Sequence, residues 1–248
     1  MTMKSDYTWN QINIPLLGEA AFFLDFDGTL VDIAPTPDSV KVERGLTETL
    51  QILRRLLGNA LAVVTGRPIG QIDHFLPHIP YAVAGEHGGA LRFSPEGPIQ
   101  NGSLPSIPQR WLEEAENFAQ HHEGVIVEKK NNGFVLHFRK VPELENRLHK
   151  MAEEWVGHQP DSFELQSAKM AWEIRPKGVD KGQAVYTLME QPPFRGRKPV
   201  FIGDDITDED GIKAAQALGG VGYRIPHDFP DSGTVRVWLK SLVEGAEK

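Results

Sequence analysis

Apolar residues along this chain gather in short unbroken runs, and each run stops at a polar cluster. Ala20-Ala21-Phe22-Phe23-Leu24 ends in Asp25-Phe26-Asp27-Gly28-Thr29, and Leu61-Ala62-Val63-Val64 ends in Thr65-Gly66-Arg67-Pro68. Tyr81-Ala82-Val83-Ala84 ends in Gly85-Glu86-His87-Gly88-Gly89, and Pro199-Val200-Phe201-Ile202 ends in Gly203-Asp204-Asp205. Runs of four or five apolar residues without alternation predict strands buried on both faces, as in a parallel sheet. Between them the period changes. Leu46, Leu50, Leu53, Leu56 and Leu57 recur at helical spacing up to Gly58-Asn59, and Pro68 opens a helix to about Leu76. Further helices are predicted over 182–190 and from Gly211 onward. Residues 90–99 read as a hairpin turning at Pro95-Glu96-Gly97. Residues 219–224 and Thr234 to Val237 read as last strands, with a short final helix from Trp238. Strands that alternate with helices predict an α/β fold with a doubly wound, mostly parallel sheet.

The middle of the chain follows another order. Residues 101–108 hold one Gly, two Pro and two Ser and read as a hinge. Helix 109–121, strand 125–130, turn 131–133, strand 134–139, helix 142–156 and strands 163–166 and 170–174 follow. That is a small α+β layer without parallel βαβ spacing. The predicted division is a core of residues 1–105 and 179–248, with an inserted domain over 106–178. Residues 1–19 read as a loose lead-in.

Composition narrows the classes. The 248 residues are 40% hydrophobic, enough for a real core, and the formal net charge of -8 leaves no general basic footprint for nucleic acid. There is no cysteine, which removes disulfides and thiolate metal sites and fits a reducing compartment. No apolar stretch approaches the ~18 residues of a membrane span, and Met1 to Asn10 lacks the apolar centre of a signal peptide. A cytoplasmic protein, more readily a monomer than an oligomer, is expected, with no nucleic-acid or membrane partner.

The polar clusters carry the chemistry. In an extended chain Asp25 and Asp27 point to the same side, at the strand end where open α/β sheets bind ligands. Two carboxylates that close call for a cation or donors. Lys181 opens a helix, where a cation works against the dipole unless an anion lies near; an exposed solvated lysine is the plainer reading. Asp204, Asp205, Asp208, Glu209 and Asp210 crowd five carboxylates into seven residues. A helix start accounts for the last three, but not for Asp204 and Asp205 at a strand end. Hard oxygens from Asp25, Asp27 and Asp204, with a backbone carbonyl among the donors, suit Mg²⁺ with a substrate phosphate. Asp205 and Asp208 would stand behind them. Thr65 and Lys181 would hold phosphoryl oxygens, Asp25 would attack phosphorus, and Asp27 would serve as acid and then base. His87 either shapes its glycine-rich turn or touches substrate.

Asp25-Phe26-Asp27-Gly28-Thr29, Thr65, Lys181 and Gly203-Asp204-Asp205 resemble, in order, the four motifs of the haloacid-dehalogenase-like (HAD) phosphatases. The resemblance implies a Rossmann-like core with an α+β cap. Val64-Thr65-Gly66-Arg67, Gly85-Glu86-His87-Gly88, Glu128-Lys129-Lys130 with His137-Phe138-Arg139, Trp172-Glu173-Ile174-Arg175-Pro176 and Gly203 to Glu209 further resemble the trehalose-6-phosphate phosphatase family. That implies hydrolysis of a sugar phosphate, trehalose 6-phosphate, with Arg67, His87, Glu128, Lys130, Arg139, Glu173 and Glu209 on the substrate. Without it, Lys130 reads as a hairpin charge and Glu173 as half of a cross-strand pair. The rivals are a sucrose-phosphate or hexose-phosphate hydrolase, a phosphomutase, and a silent sugar-phosphate sensor.

Overall fold

The computed structural model describes residues 12–101, 104–130 and 133–246. It divides into two compact units, one of residues up to Gln100 and from Asp180, the other Asn101–Val179. Most of the predicted turn 131–133 and part of the predicted lead-in and hinge lie outside the described residues.

The larger unit is built on a seven-stranded sheet. Its strands are β1 (Ala20–Leu24), β2 (Leu61–Val64), β3 (Ala82–Gly85), β4 (Ala90–Arg92), β5 (Gln100–Asn101), β10 (Lys198–Gly203) and β11 (Val221–Arg224), in the order β11-β10-β1-β2-β3-β4-β5. β11 through β3 pair in parallel, and β4 turns back against β3. β1 is wholly buried, and its side chains divide by parity. Phe22 and Leu24 join one core with α1 (Leu46–Leu56), α2 (Ile69–Phe75) and α7 (Ser232–Ala246). Ala21 and Phe23 join the other with α5 (Lys181–Met189) and α6 (Asp208–Ala217). Strand order reverses beside β1, with β2 and β3 on one side and β10 and β11 on the other. Such a reversal opens a crevice at the carboxyl ends of the strands on either side of it. Those ends carry Asp25 and Asp204.

The smaller unit has a four-stranded antiparallel sheet, ordered β6 (Ile126–Lys129), β7 (Phe134–His137), β9 (Ala171–Pro176), β8 (Phe163–Ala168). Phe134, Leu136 and Ile174 pack with Trp111 and Phe118 of α3 (Gln109–His121) and with Leu148 and Trp155 of α4 (Glu145–His158). The other sheet face sets Glu128, Val135, Glu173 and Gln166 side by side. Among the described residues no helix is long and apolar enough to cross a membrane.

One prediction is corrected. Thr234 to Val237 is not a strand but the first turn of α7. The alternating valines suggested period two, yet Val237 is 58% exposed while Val235, Trp238, Leu239 and Val243 are buried at helical spacing. Asp231 settles the start, its Oδ1 accepting from the Thr234 amide and hydroxyl, both at 2.7 Å. Asp231→Ala is expected to lower stability by about 1 kcal/mol, read as a lower denaturant midpoint with an unchanged slope.

Candidate active site

Asp25 leaves β1 with its amide donating to the Ile202 carbonyl of β10 at 3.0 Å. That link holds the two strand ends together just where both become acidic. The Lys181 ammonium donates to Asp25 Oδ1 at 2.7 Å and to Asp208 Oδ1 at 2.6 Å. All three side chains are almost fully shielded. The other oxygen of Asp208 accepts from the amides of Asp204 and Asp205 at 3.1 and 3.0 Å. Asp208 thus ties the acidic loop to the lysine. The anions facing Lys181 at its helix start are therefore two of the protein's own carboxylates, where the sequence suggested a bound phosphate.

Carboxylate oxygens of Asp25, Asp204 and Asp208 lie within 4.8 Å of one another. The repulsion shows in their proton affinities. Burial, and then the charge of Asp208, holds the Asp25 carboxyl well above its usual range. Burial, Asp208 and Asp205 push Asp204 up to about 7. Burial alone would lower the Lys181 ammonium, but Asp25 and Asp208 outweigh it and hold that group above its ordinary value. The donor set could hold a hard divalent cation: its ligands are oxygen-only, closely spaced, and carry more negative charge than one lysine balances. The backbone is cut to the same shape. Gly28 has φ +82°, and a Cβ there would come within 2.1 Å of Asp204 Oδ2. A Cβ at Gly203 would fall 2.2 Å from Asp208 Cγ.

Asp27 points elsewhere. Both of its oxygens accept from Arg67, at 2.5 Å from Nε and 2.8 Å from Nη2. Its side chain stands outside the close carboxylate group, which takes in Asp208 instead. Thr65 is buried at the end of β2, and its Oγ1 accepts from the Arg67 amide at 3.1 Å. His87 is buried beside Gly66, where a Cβ would meet its Nε2 at 2.6 Å. Asp205 is exposed, and its Oδ1 accepts from the Ile206 amide at 2.6 Å. Glu209 forms an ion pair with Arg224. Arg67 Nη1 also donates to Gln71 Oε1 at 2.7 Å, and the Arg224 and Gln71 partnerships were missed in the sequence. Gln71 had a signal, since it follows Arg67 by four residues at the start of a helix.

In the smaller unit Lys130 Nζ donates to Glu173 Oε1 at 2.8 Å, and both side chains are nine-tenths shielded. Glu128 Oε2 lies 2.8 Å from His137 Nε2, a contact that holds the Glu128 carboxyl below its usual range. Glu128 and Glu173 share one row across the sheet, whereas Arg139 lies exposed in the turn after β7.

Comparison with known proteins agrees with the geometry. A trehalose-phosphatase family model matches residues 23–232. A protein of Sinorhizobium fredii named "Probable trehalose-phosphate phosphatase" is 37% identical over 212 residues, 86% of this chain and 80% of its own. The trehalose-6-phosphate phosphatase of Escherichia coli is 35% identical over 211 residues, 85% of this chain and 79% of its own. Among solved structures, a haloacid dehalogenase-like hydrolase from Bacteroides thetaiotaomicron superposes with a TM-score of 0.63 at 14% identity, covering 90% of this chain and 99% of that one. At that identity the likeness concerns the fold.

Proposed function

This chain belongs to the trehalose-phosphatase family, phosphoric monoester hydrolases, and from that premise we propose that it releases phosphate from trehalose 6-phosphate through an aspartyl-phosphate on Asp25. The observation that carries the reading is the buried Asp25–Lys181–Asp208 cluster at the strand reversal, with Asp204 closing it. Asp25, Asp204 and a backbone carbonyl of the Asp25 to Asp27 turn would hold Mg²⁺, and Asp208 would orient them. The cation, when bound, supplies positive charge that lets a phosphate dianion approach carboxylates.

The chain's own groups do the rest. Lys181 and the Thr65 hydroxyl bind phosphoryl oxygens and lower the charge that builds there. Asp25 Oδ attacks phosphorus while the bond to the sugar oxygen breaks, and Asp27 gives that oxygen a proton. Asp27 then takes a proton from water as it attacks the aspartyl-phosphate, which returns Asp25 and frees phosphate. Lys130, Glu173, Glu128 and Arg139 are proposed for the sugar hydroxyls, since charged side chains make the stronger hydrogen bonds to them. Placement of these groups in a unit of their own is the usual way one chemistry is given different substrates.

The test is phosphate release, with Mg²⁺, from trehalose 6-phosphate, sucrose 6-phosphate, glucose 6-phosphate and 4-nitrophenyl phosphate. Trehalose 6-phosphate is expected to lead by orders of magnitude. Equal rates would overturn the named substrate and leave the core chemistry.

Metal binding should depend on pH through Asp204. Its pKa is about 7 in the folded chain against an ordinary 3.8, so without metal the fold holds a proton there that the unfolded chain releases above pH 4. The stabilisation from that proton is present below about pH 4 and is lost as pH rises through 7. The metal-free melting temperature is therefore expected to fall between pH 5 and pH 8. Added Mg²⁺ should offset the fall and release protons on binding near pH 6.5, read by calorimetry in buffers of different ionisation enthalpy.

A further inference from the structure

Arg67 follows a buried threonine at a strand end and is one of the residues that the resemblance places on substrate. Its guanidinium meets several groups of the larger unit. Nε and Nη2 fork the two oxygens of Asp27, and Nη1 donates to Gln71 Oε1 at 2.7 Å. The ring centroids of Phe26 and Phe75 lie 5.5 and 5.3 Å from its central carbon. The Arg67 side chain is 10% exposed, against 36% for Asp27. The backbone that bears it is held as well. The Arg67 carbonyl accepts from the Glu86 amide at 3.1 Å, and the Thr65 carbonyl accepts from the His87 amide at 2.9 Å. Glu86 and His87 reach those carbonyls in left-handed conformations, at φ +52° and +58°. Such backbone is unfavourable for residues other than glycine and persists where the surroundings impose it.

We propose that Arg67 is a positioning residue that aims Asp27, held in turn by Gln71 and by the Glu86–His87 turn, and is not a substrate ligand. The inference rests on the reading of Asp27 as acid and base. Asp27 is followed by a left-handed glycine and is partly open to solvent, so alone it would sample several rotamers. A planar fork that takes both oxygens fixes the carboxylate in position and plane, which an ammonium does not do. Proton transfer to an alkoxide depends on that aim, whereas departure of a nitrophenolate needs no proton.

Arg67→Gln, Arg67→Lys and Gln71→Ala, each checked for an unchanged circular dichroism spectrum, are compared with the parent in Mg²⁺. Steady-state constants are taken on trehalose 6-phosphate, and first-turnover release of 4-nitrophenolate on the aryl phosphate. For Arg67→Gln, kcat on the sugar phosphate should fall roughly 10- to 100-fold, part of the ~10²–10⁴ that acid–base catalysis supplies. KM should stay within about threefold, and the aryl first turnover should fall far less than the sugar kcat. Arg67→Lys should fail to rescue, and Gln71→Ala should show a smaller loss of the same pattern. A raised KM with kcat kept would make Arg67 a substrate ligand. Equal losses on both substrates, in Gln71→Ala as well, would make the cluster merely structural; either result overturns the proposal. If Arg67→Gln does not fold, Gln71→Ala decides on the same criteria. A parent enzyme that cleaves glucose 6-phosphate but not trehalose 6-phosphate overturns the substrate reading alone, and the same comparison is then made on glucose 6-phosphate.

Discussion

Asp25→Asn is expected to turn over trehalose 6-phosphate at least about 10⁴-fold more slowly than the parent, the scale of losing a covalent nucleophile. The amide keeps the shape of the carboxylate but cannot form the phosphoryl bond. Stability should move the other way. Asp25 is buried beside Asp208 and Asp204, and its raised proton affinity marks an ionised form that the folded chain holds at a cost. Removing one charge leaves Lys181 paired with Asp208. The metal-free melting temperature of Asp25→Asn should therefore equal or exceed that of the parent, as is common where a site is tuned for reaction at the expense of stability. Phosphate release and a melting curve on one preparation check both halves. Turnover within tenfold of the parent would remove Asp25 as nucleophile.

Lys181→Met is the second large effect, and here stability and activity fall together. The ammonium is the countercharge for two carboxylates that are themselves almost fully shielded. Taking one partner out of a buried ion pair commonly costs about 3–5 kcal/mol, because the remaining charge has neither water nor a partner. The expected results are a loss of that order in denaturant unfolding and no detectable phosphate release. Adding Asp25→Asn to Lys181→Met should recover part of the stability and none of the activity. Recovery beyond the gain of Asp25→Asn in the parent would measure the coupling of the pair, since residues in direct contact depart from additivity. A recovery no larger than that gain would mean that the two effects add and the lysine acts alone.

Much of this could be read from the sequence, and what could not shares one cause. The runs Ala20–Leu24 and Pro199–Ile202 read as buried strands because nothing polar interrupts them, and the acids after each stood at a predictable strand end. The α/β class followed. Contacts between distant residues did not. Arg67 and Asp27 are 40 positions apart, and Lys181 and Asp208 are 27 apart. The spacing of residue types gives which groups arrive at a strand end, but not which pairs close. Arg67 and Glu209 were expected on substrate, and their pairing with Asp27 and Arg224 was not legible. Asp208 was expected behind the metal ligands, and spacing did not give its bonds to Lys181 and to two backbone amides. The start of α7 was misread because valine favours strands, a preference reversed by the capping of Thr234 by Asp231 and by burial at helical spacing.

Asp25, the proposed nucleophile, follows a strand whose side chains alternate between two separate cores. No local opening of a helix or loop releases such a strand, because it is paired on both edges and packed on both faces. The amides of Phe23 and Leu24 should exchange with solvent only when the whole larger unit comes apart. A reaction centre mounted there keeps its geometry up to the melting transition itself, so thermal inactivation should track global unfolding and show no earlier, partial loss.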